Sequence, residues 1–214
     1  MANTCARHVF ACSLRVARLD TDGSLLTGAD NLYVSDALLT IAITPNIEEG
    51  DEFRIKNGCG ELCVNVKDCD RLARLDMTMG LCYPDPELLE LLVGGSAVLT
   101  SGDAVGWALP NLGSGTCPDG VSVEFWSKRY DIGGAPMSDF PYEHYVMPRS
   151  YWQISARNFE NGPVTTELTG FAVENDNWGG GPNDEWPVAS DRALQSLPTT
   201  DLPTPACGYQ VLAS

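Results

Sequence analysis

Two alternating stretches joined by a glycine-rich turn constrain the fold of this chain more than any other feature of its sequence. Each stretch alternates apolar and polar side chains, and its apolar members are Phe53 and Ile55 in the first and Leu62, Val64 and Val66 in the second. Between them lies Asn-Gly-Cys-Gly at 57–60, and Asn and Gly tolerate the positive φ angles of a tight turn. The pattern predicts a β-hairpin within a segment of about 45–71. Because one face is polar, we expect the hairpin to lie on the core with that face in water, or to meet another subunit.

The composition favours a chain of many short strands. With 21 Gly and 14 Pro in 214 residues, the composition favours a fold of short strands and turns over a helical bundle. We therefore expect one mainly β domain, an antiparallel β-sandwich or part of a barrel, with one short flanking helix.

The charge and the N-terminus exclude several classes of protein. A formal charge of −16 repels phosphate, so specific nucleic-acid binding is not expected. The N-terminus does not read as a signal peptide, and no apolar run is long enough to cross a bilayer. We expect synthesis in the cytoplasm with the eight Cys as reduced thiols, and no contact with membrane.

Alternation also predicts the remaining elements. Strands are expected over 8–19, 31–34, 38–44, 71–81, 121–126, 151–159 and 164–173. Pro45 should end the third of these, and 98–107 reads as a strand broken by Gly102. The prolines of 133–148 should interrupt regular structure, and the tail over 196–214 reads as an extended or poorly ordered arm, as does 1–7 at the other end.

One helix is predicted over about 85–93. Asp85 can cap its free N–H groups, Pro86 suits its first turn, and Glu87 complements its dipole. A helix this short is unstable alone, so we expect its apolar stripe to pack on the sheet. The packing residues are Leu88, Leu89 and Leu92.

Metal binding has weak support. The set of Cys59, Cys63, Cys69 and Cys82 could hold Zn²⁺, but its spacing lacks paired C-x2-C ligands, and buried thiols and turn residues explain it better. Two acidic loops could hold Ca²⁺, one at 20–23 and one with Glu174, Asp176, Asp184 and Glu185, although solvated turns are the simpler interpretation. We expect no metal and no other cofactor.

Catalysis has little basis in the sequence. His8 and His144 are the chain's two histidines, and no nucleophile elbow, zinc-protease motif or phosphate loop is present. Five Trp, at 107, 126, 152, 178 and 186, could form a sugar platform, but more often such residues are core or interface anchors. No catalytic residue is predicted.

Several strings resemble the major tail (tail tube) proteins of long, non-contractile-tailed phages of actinobacteria. They are the opening ANTCARHVFA, the segment with Asp51, Lys56, Asn57, Cys59, Gly60, Cys63, Val64 and Asn65, and the helix start with Cys82, Pro84, Asp85, Pro86, Glu87 and Leu88. The resemblance covers the first half of the chain well and the rest loosely.

The resemblance implies a virion protein that assembles in the host cytoplasm into stacked hexameric rings. The rings form a tail tube through which double-stranded DNA passes as non-specific cargo, and the tape measure, terminator and distal tail proteins are partners. The hairpin would bridge neighbouring rings through Glu48, Glu49, Asp51, Arg54, Lys56, Asn57, Cys59, Gly60 and Cys63. We expect a net negative lumen face, with Asp76 and Glu124 as examples.

Two other functions remain open at this point. One is a tail-terminator or capsid-decorating protein of related sandwich fold. The other is a carbohydrate-binding module or glycosidase that uses the Trp residues and paired carboxylates. Self-assembly into tubes would distinguish the tail-tube function from both of these.

Overall fold

The computed structural model describes residues 6–83, 85–111, 119–158, 165–182 and 187–212. Within these ranges the chain forms one helix and thirteen strands. In chain order they are β1 (Arg7–Arg18), β2 (Gly28–Ser35), β3 (Leu38–Glu48), β4 (Glu52–Lys56), β5 (Leu62–Lys67), β6 (Arg71–Cys82), α1 (Pro86–Val93), β7 (Ser96–Thr100), β8 (Asp103–Ala108), β9 (Val121–Tyr130), β10 (Tyr142–Asn158), β11 (Thr165–Val173), β12 (Gln195–Thr199) and β13 (Gly208–Leu212).

Nine strands form one antiparallel sheet that folds into two layers. Its order is β13-β2-β1-β9-β10-β11-β6-β3, with β12 also paired to β10. The long strand β10 belongs to both layers, because its first half pairs with β9 and β12 and its second half pairs with β11. Its ladder with β9 shifts register between Met147 and Ser150, where Pro148 supplies no N–H donor.

The core lies between the two layers. Leu14, Val16 and Val123 from β1 and β9 belong to the same buried cluster as Met79 and Leu168 from β6 and β11. Alternate residues of these strands therefore point inward from both sides, as in sheet-on-sheet packing. The predicted fold class, mainly β with antiparallel sheets in a sandwich and one short helix, is confirmed.

The helix α1 packs on this core. Leu88 and Leu92 lie in the central cluster and Leu89 is 1% exposed. Gly94, at φ 81°, ends the helix, and its N–H donates to the Glu90 carbonyl at 3.0 Å. Burial of this apolar stripe against the sheet thus stabilises a two-turn helix that would be unstable by itself.

Several local predictions were wrong for identifiable reasons. Pro45 lies inside β3 rather than ending it, because β3 is the last strand of the sheet and one of its sides has no partner strand. The segment 98–107 is a hairpin of β7 and β8, turned by Ser101 and Gly102 at φ 58° and 98°. The start of β10 lies within 133–148, where prolines were expected to prevent regular structure.

The C-terminal segment is part of the sheet. Strand β12 pairs with β10 over 195–199, and β13 pairs with β2 over 208–212. Both strands are extended and pair with the chain's own sheet, and the arm expected at 196–214 stays a prediction. The predicted N-terminal arm lies almost wholly outside the described residues.

Candidate assembly surface

The last two strands of the main sheet, β3 and β6, lead into the predicted contact hairpin. Strands β3 and β6 pair from Leu38 opposite Leu81 to Glu48 opposite Arg71, and β4 and β5 then form a ladder of their own. The two ladders meet at Gly50, where an added Cβ would lie 2.2 Å from the Asp68 carbonyl oxygen. This close approach requires glycine at the junction of the two ladders.

One face of the hairpin is apolar and lies in water. Phe53 is opposite Val66, and Ile55 is opposite Val64, so these four side chains share a face, while a register shift places Leu62 opposite Lys56. Their exposed fractions are 56% for Phe53, 53% for Val66, 57% for Ile55, 38% for Val64 and 52% for Leu62. All residues over 51–70 are exposed, so no described part of the chain covers this apolar face.

The predicted contact residues lie on the same hairpin and at its base. Glu48 and Arg54 are engaged locally, the first with Arg71 at 2.8 Å and the second with Glu52 at 2.6 Å. Asn57 closes the turn, since its Oδ1 accepts from the Cys59 and Glu61 N–H groups at 3.0 and 2.9 Å. The prediction chose polar residues and omitted the apolar face, although the alternation of the sequence already indicated it.

The cysteine set is not assembled into a metal site. Cys59, Cys63 and Cys69 are exposed free thiols, and Cys82 is half-buried on β6. In the described ranges no three Cys, His, Asp or Glu side chains lie close enough to hold a metal ion. The structure therefore offers no support for the zinc interpretation.

The acidic loops are also turns. Asp22 accepts from the Ser24 N–H at 2.8 Å and the Ser24 hydroxyl at 2.7 Å, which lowers its pKa. Glu174 and Asp176 are exposed, while Asp184 and Glu185 of the second predicted calcium loop lie outside the described residues.

Asp76, the first lumen candidate, lies on the outer face of β6. It accepts from Asn46 Nδ2 and Arg74 Nε, each at 2.7 Å, and the hydrogen bond from Asn46 does most to lower its pKa. Its neighbours across the ladders are uncharged, with Thr44 opposite it on β3. The charge of Asp76 is therefore balanced by Arg74, and its place in the lumen stays a prediction.

Glu124, the second lumen candidate, is fully buried, which rules it out as a lumen residue. Its carboxylate accepts from Arg15 Nε at 2.9 Å and Arg15 Nη2 at 2.7 Å, and lies 2.8 Å from His144 Nε2. Trp126 stacks on His144 with ring centroids 4.1 Å apart, and Arg15 lies over the same indole. These four residues form a buried ion-pair cluster in which each charge has a partner.

The electrostatics of this cluster hold Glu124 ionised. Burial by itself would raise the pKa of Glu124, but the charge of Arg15 and the hydrogen bonds from His144 and Arg15 outweigh it and lower the pKa to about 2. Sequence reasoning missed the cluster because Arg15, Glu124 and His144 lie on three strands that only the sheet order brings together.

The tryptophans do not form an exposed platform among the described residues. Trp126, Trp152 and Trp178 are 2%, 4% and 2% exposed, and Trp107 donates its indole N–H to the Gly94 carbonyl at 2.9 Å. Trp186 lies outside the described residues. A sugar would therefore find no stacking surface on the three buried tryptophans, and Trp107 is half-buried and alone.

Comparisons with known proteins give only distant similarities. No protein-family model matches the chain, and no curated protein matches it significantly. It aligns with a chain of the sheath–tube complex of an extracellular contractile injection system (PVC) in the extended state, at 9% identity and a TM-score of 0.27, covering 77% of this chain and 86% of that one. It also aligns with a chain from the tail of an empty GTA particle refined with C6 symmetry, at 14% identity and a TM-score of 0.25, covering 75% of this chain and 90% of that one.

Both solved structures are components of tail or sheath–tube assemblies. Identities and TM-scores of this size do not establish a relationship. Within the described residues, no helix is long and apolar enough to span a membrane.

Proposed function

We propose that this chain is a structural subunit of a phage-type tail tube, without enzymatic activity. Copies would form hexameric rings that stack into a tube in the virion tail, assembled in the host cytoplasm, through which the genome leaves. The observation that carries the proposal is the uncovered apolar face of the β4–β5 hairpin.

A hairpin with this composition needs a partner. An isolated two-stranded hairpin is marginally stable in water, and removing apolar surface from water contributes about 25 cal/mol per Å². Among the described residues, none covers the side chains on the apolar face, such as Phe53 and Ile55. Exposed apolar patches of this kind mark interaction sites, and a second copy is the partner always present during assembly.

The edges of the main sheet support the same proposal. Strands β3, β12 and β13 are its terminal strands, and each pairs on one side only within the described chain. Free edges promote uncontrolled aggregation, and a closed ring removes them by pairing each subunit with the next. Neighbouring subunits would meet along these edges, while the hairpin would bridge rings.

We further propose that the outer face of β3, β6 and β11 lines the channel. Thr44, Thr78 and Thr169 lie on this face beside the Arg74–Asp76 pair. A surface with few unpaired cations gives DNA phosphates little to bind, so double-stranded DNA would pass without sticking. The predicted net negative wall finds no support in Asp76 or Glu124. The tape measure, terminator and distal tail proteins would be the other partners of the tube.

Removal of the hairpin tests the proposal. A chain lacking residues 49–67 should keep the circular dichroism spectrum and unfolding transition of a folded sandwich, because the hairpin contributes nothing to the core. It should no longer pellet as tubes on ultracentrifugation. The double variant Phe53→Glu, Ile55→Glu should likewise fold and fail to form tubes. Asn65→Glu, on the polar face, is the matched control and should still form tubes. Tubes from the deleted chain would contradict the bridging role.

A further inference from the structure

A cavity of about 730 Å³ lies between the C-terminal segment and the layer that contains β1 and β9. Strand β12 pairs with β10 and β13 pairs with β2, so the residues that join β12 to β13 pass over β1 and β9, which lie between those partners. Arg15 and Trp126 form the floor of the cavity, and residues 198–205 form one of its walls. This volume is in the range of sites that bind ligands.

A buried donor in the floor has no partner. Trp126 is 2% exposed, and its Nε1 makes no hydrogen bond to any described residue. His144, on β10, stacks on the indole with ring centroids 4.1 Å apart, and the Arg15 guanidinium, on β1, lies 5.3 Å from the ring centroid. Because β10 and β1 flank β9 on opposite sides, both faces of the indole are covered, and the ring edge that carries Nε1 remains to border the cavity. A buried N–H without a partner is rare in folded proteins, and this one needs an acceptor that the described chain does not supply.

Arg15 adds a second donor to the floor without adding net charge. Its Nε and Nη2 donate to Glu124, while no described residue accepts from its Nη1. The Glu124 carboxylate neutralises the guanidinium, and Asp201 is the other charged group in the lining. A phosphate or a carboxylate would therefore meet no excess positive charge. The groups that lack partners require neutral acceptors such as carbonyl oxygens.

The walls of the cavity are rich in aromatic and proline rings. Phe140 is 45% exposed and Tyr209 is half-buried, and the prolines at 198, 203 and 205 lie around them. Grooves lined by aromatic rings bind proline-rich peptides in the polyproline II conformation. Such a peptide presents carbonyl acceptors, has no N–H on its prolines, and makes no internal hydrogen bonds. Its chemistry therefore complements a lining whose unpaired groups are donors.

We propose that this cavity binds a proline-rich segment of another protein in the extended polyproline II conformation. Trp126 Nε1 and Arg15 Nη1 donate to carbonyl groups of the segment, and its proline rings pack against Phe140 and Tyr209. The chain's own prolines already form part of the cavity wall, so the bound segment comes from a different protein. This binding does not depend on tube formation.

Binding of a capped hexaproline peptide to the 214-residue chain, measured by isothermal titration calorimetry, tests the proposal. We expect a dissociation constant of about 1 mM or below, and no binding of a capped glycine–serine hexapeptide. Trp126→Phe keeps an aromatic ring beside His144 but removes the N–H, so it should weaken binding about three- to tenfold. Phe140→Ala removes part of the wall and should also weaken binding. Phe53→Ala, at an exposed phenylalanine outside the cavity, is the matched control and should leave the affinity unchanged.

Circular dichroism and urea unfolding check that each variant is folded. Phe140 is partly exposed, so Phe140→Ala carries the test if Trp126→Phe does not fold. The absence of hexaproline binding at about 10 mM peptide would overturn the proposal, and so would equal binding of the glycine–serine peptide. An unchanged affinity in either folded cavity variant, or equal weakening by Phe53→Ala, would also overturn it, because the peptide would then bind without these groups.

Discussion

The residues that most restrict substitution lie in the buried cluster around Glu124. The Arg15 and Glu124 side chains are 5% and 0% exposed, so neither charge has water as an alternative partner. Breaking a buried pair by removing one partner leaves an uncompensated charge, which is more damaging than never having had the pair. The cluster therefore ties together β1, β9 and β10, the central strands of one layer.

Neutralising Glu124 should destabilise the fold. Glu124→Gln keeps the shape of the side chain but leaves the Arg15 guanidinium buried without a counter-charge, so the free energy of unfolding should fall by about 3–5 kcal/mol. Urea unfolding followed by tryptophan fluorescence measures this. Glu49→Gln, at an exposed carboxylate, is the control and should leave stability unchanged. A Glu124→Gln protein as stable as the wild type would show that the cluster does not stabilise the fold.

The same residue should give a distinct pH dependence. The pKa of Glu124 falls from 4.5 to about 2 on folding. The contribution of its carboxylate to the free energy of unfolding is therefore fully present above the pKa of the unfolded state, and it is lost as the pH falls toward about 2. The difference in unfolding free energy between wild type and Glu124→Gln should therefore narrow as the pH is lowered through that window. Urea midpoints at several pH values report it, and a constant difference would contradict the assignment.

At the scale of elements, helix α1 shows what the sequence could predict and what it could not. Its start at Pro86 and its leucine stripe follow from local rules, whereas the predicted cap does not form, since the Asp85 side chain makes no hydrogen bond to the free N–H groups of the helix. The strand predictions were wrong around Pro45 and Pro148. A strand tolerates proline at a sheet edge or a bulge, and the order of strands in the sheet decides where these lie. The pairing of β12 and β13 with strands distant in sequence likewise cannot be predicted from the local sequence.

Truncating the helix stripe should reduce stability. Leu92→Ala removes a side chain that is 2% exposed and leaves a cavity between α1 and the sheet, which should cost about 2–5 kcal/mol. Leu109→Ala is the matched control, because Leu109 is 66% exposed and its loss should cost little. Equal urea midpoints for the two variants would mean that the helix does not contribute to the core.

At the scale of the whole molecule, the sandwich places its unsatisfied surfaces at the periphery. Three sheet edges and two apolar hairpins lie outside a well-packed core, while Trp152, Trp178 and the Glu124 cluster are buried inside it. This distribution suits a subunit completed by its own copies better than a carbohydrate-binding module. A tail terminator or decorating protein would share the fold but would bind a preformed particle rather than extend by itself.

Electron microscopy of the purified wild-type chain over a range of concentrations tests the central claim most directly. The account predicts rings with a central channel at low concentration and tubes of stacked rings as concentration rises, because the contacts lie between identical subunits. Single separate subunits at every concentration would contradict it.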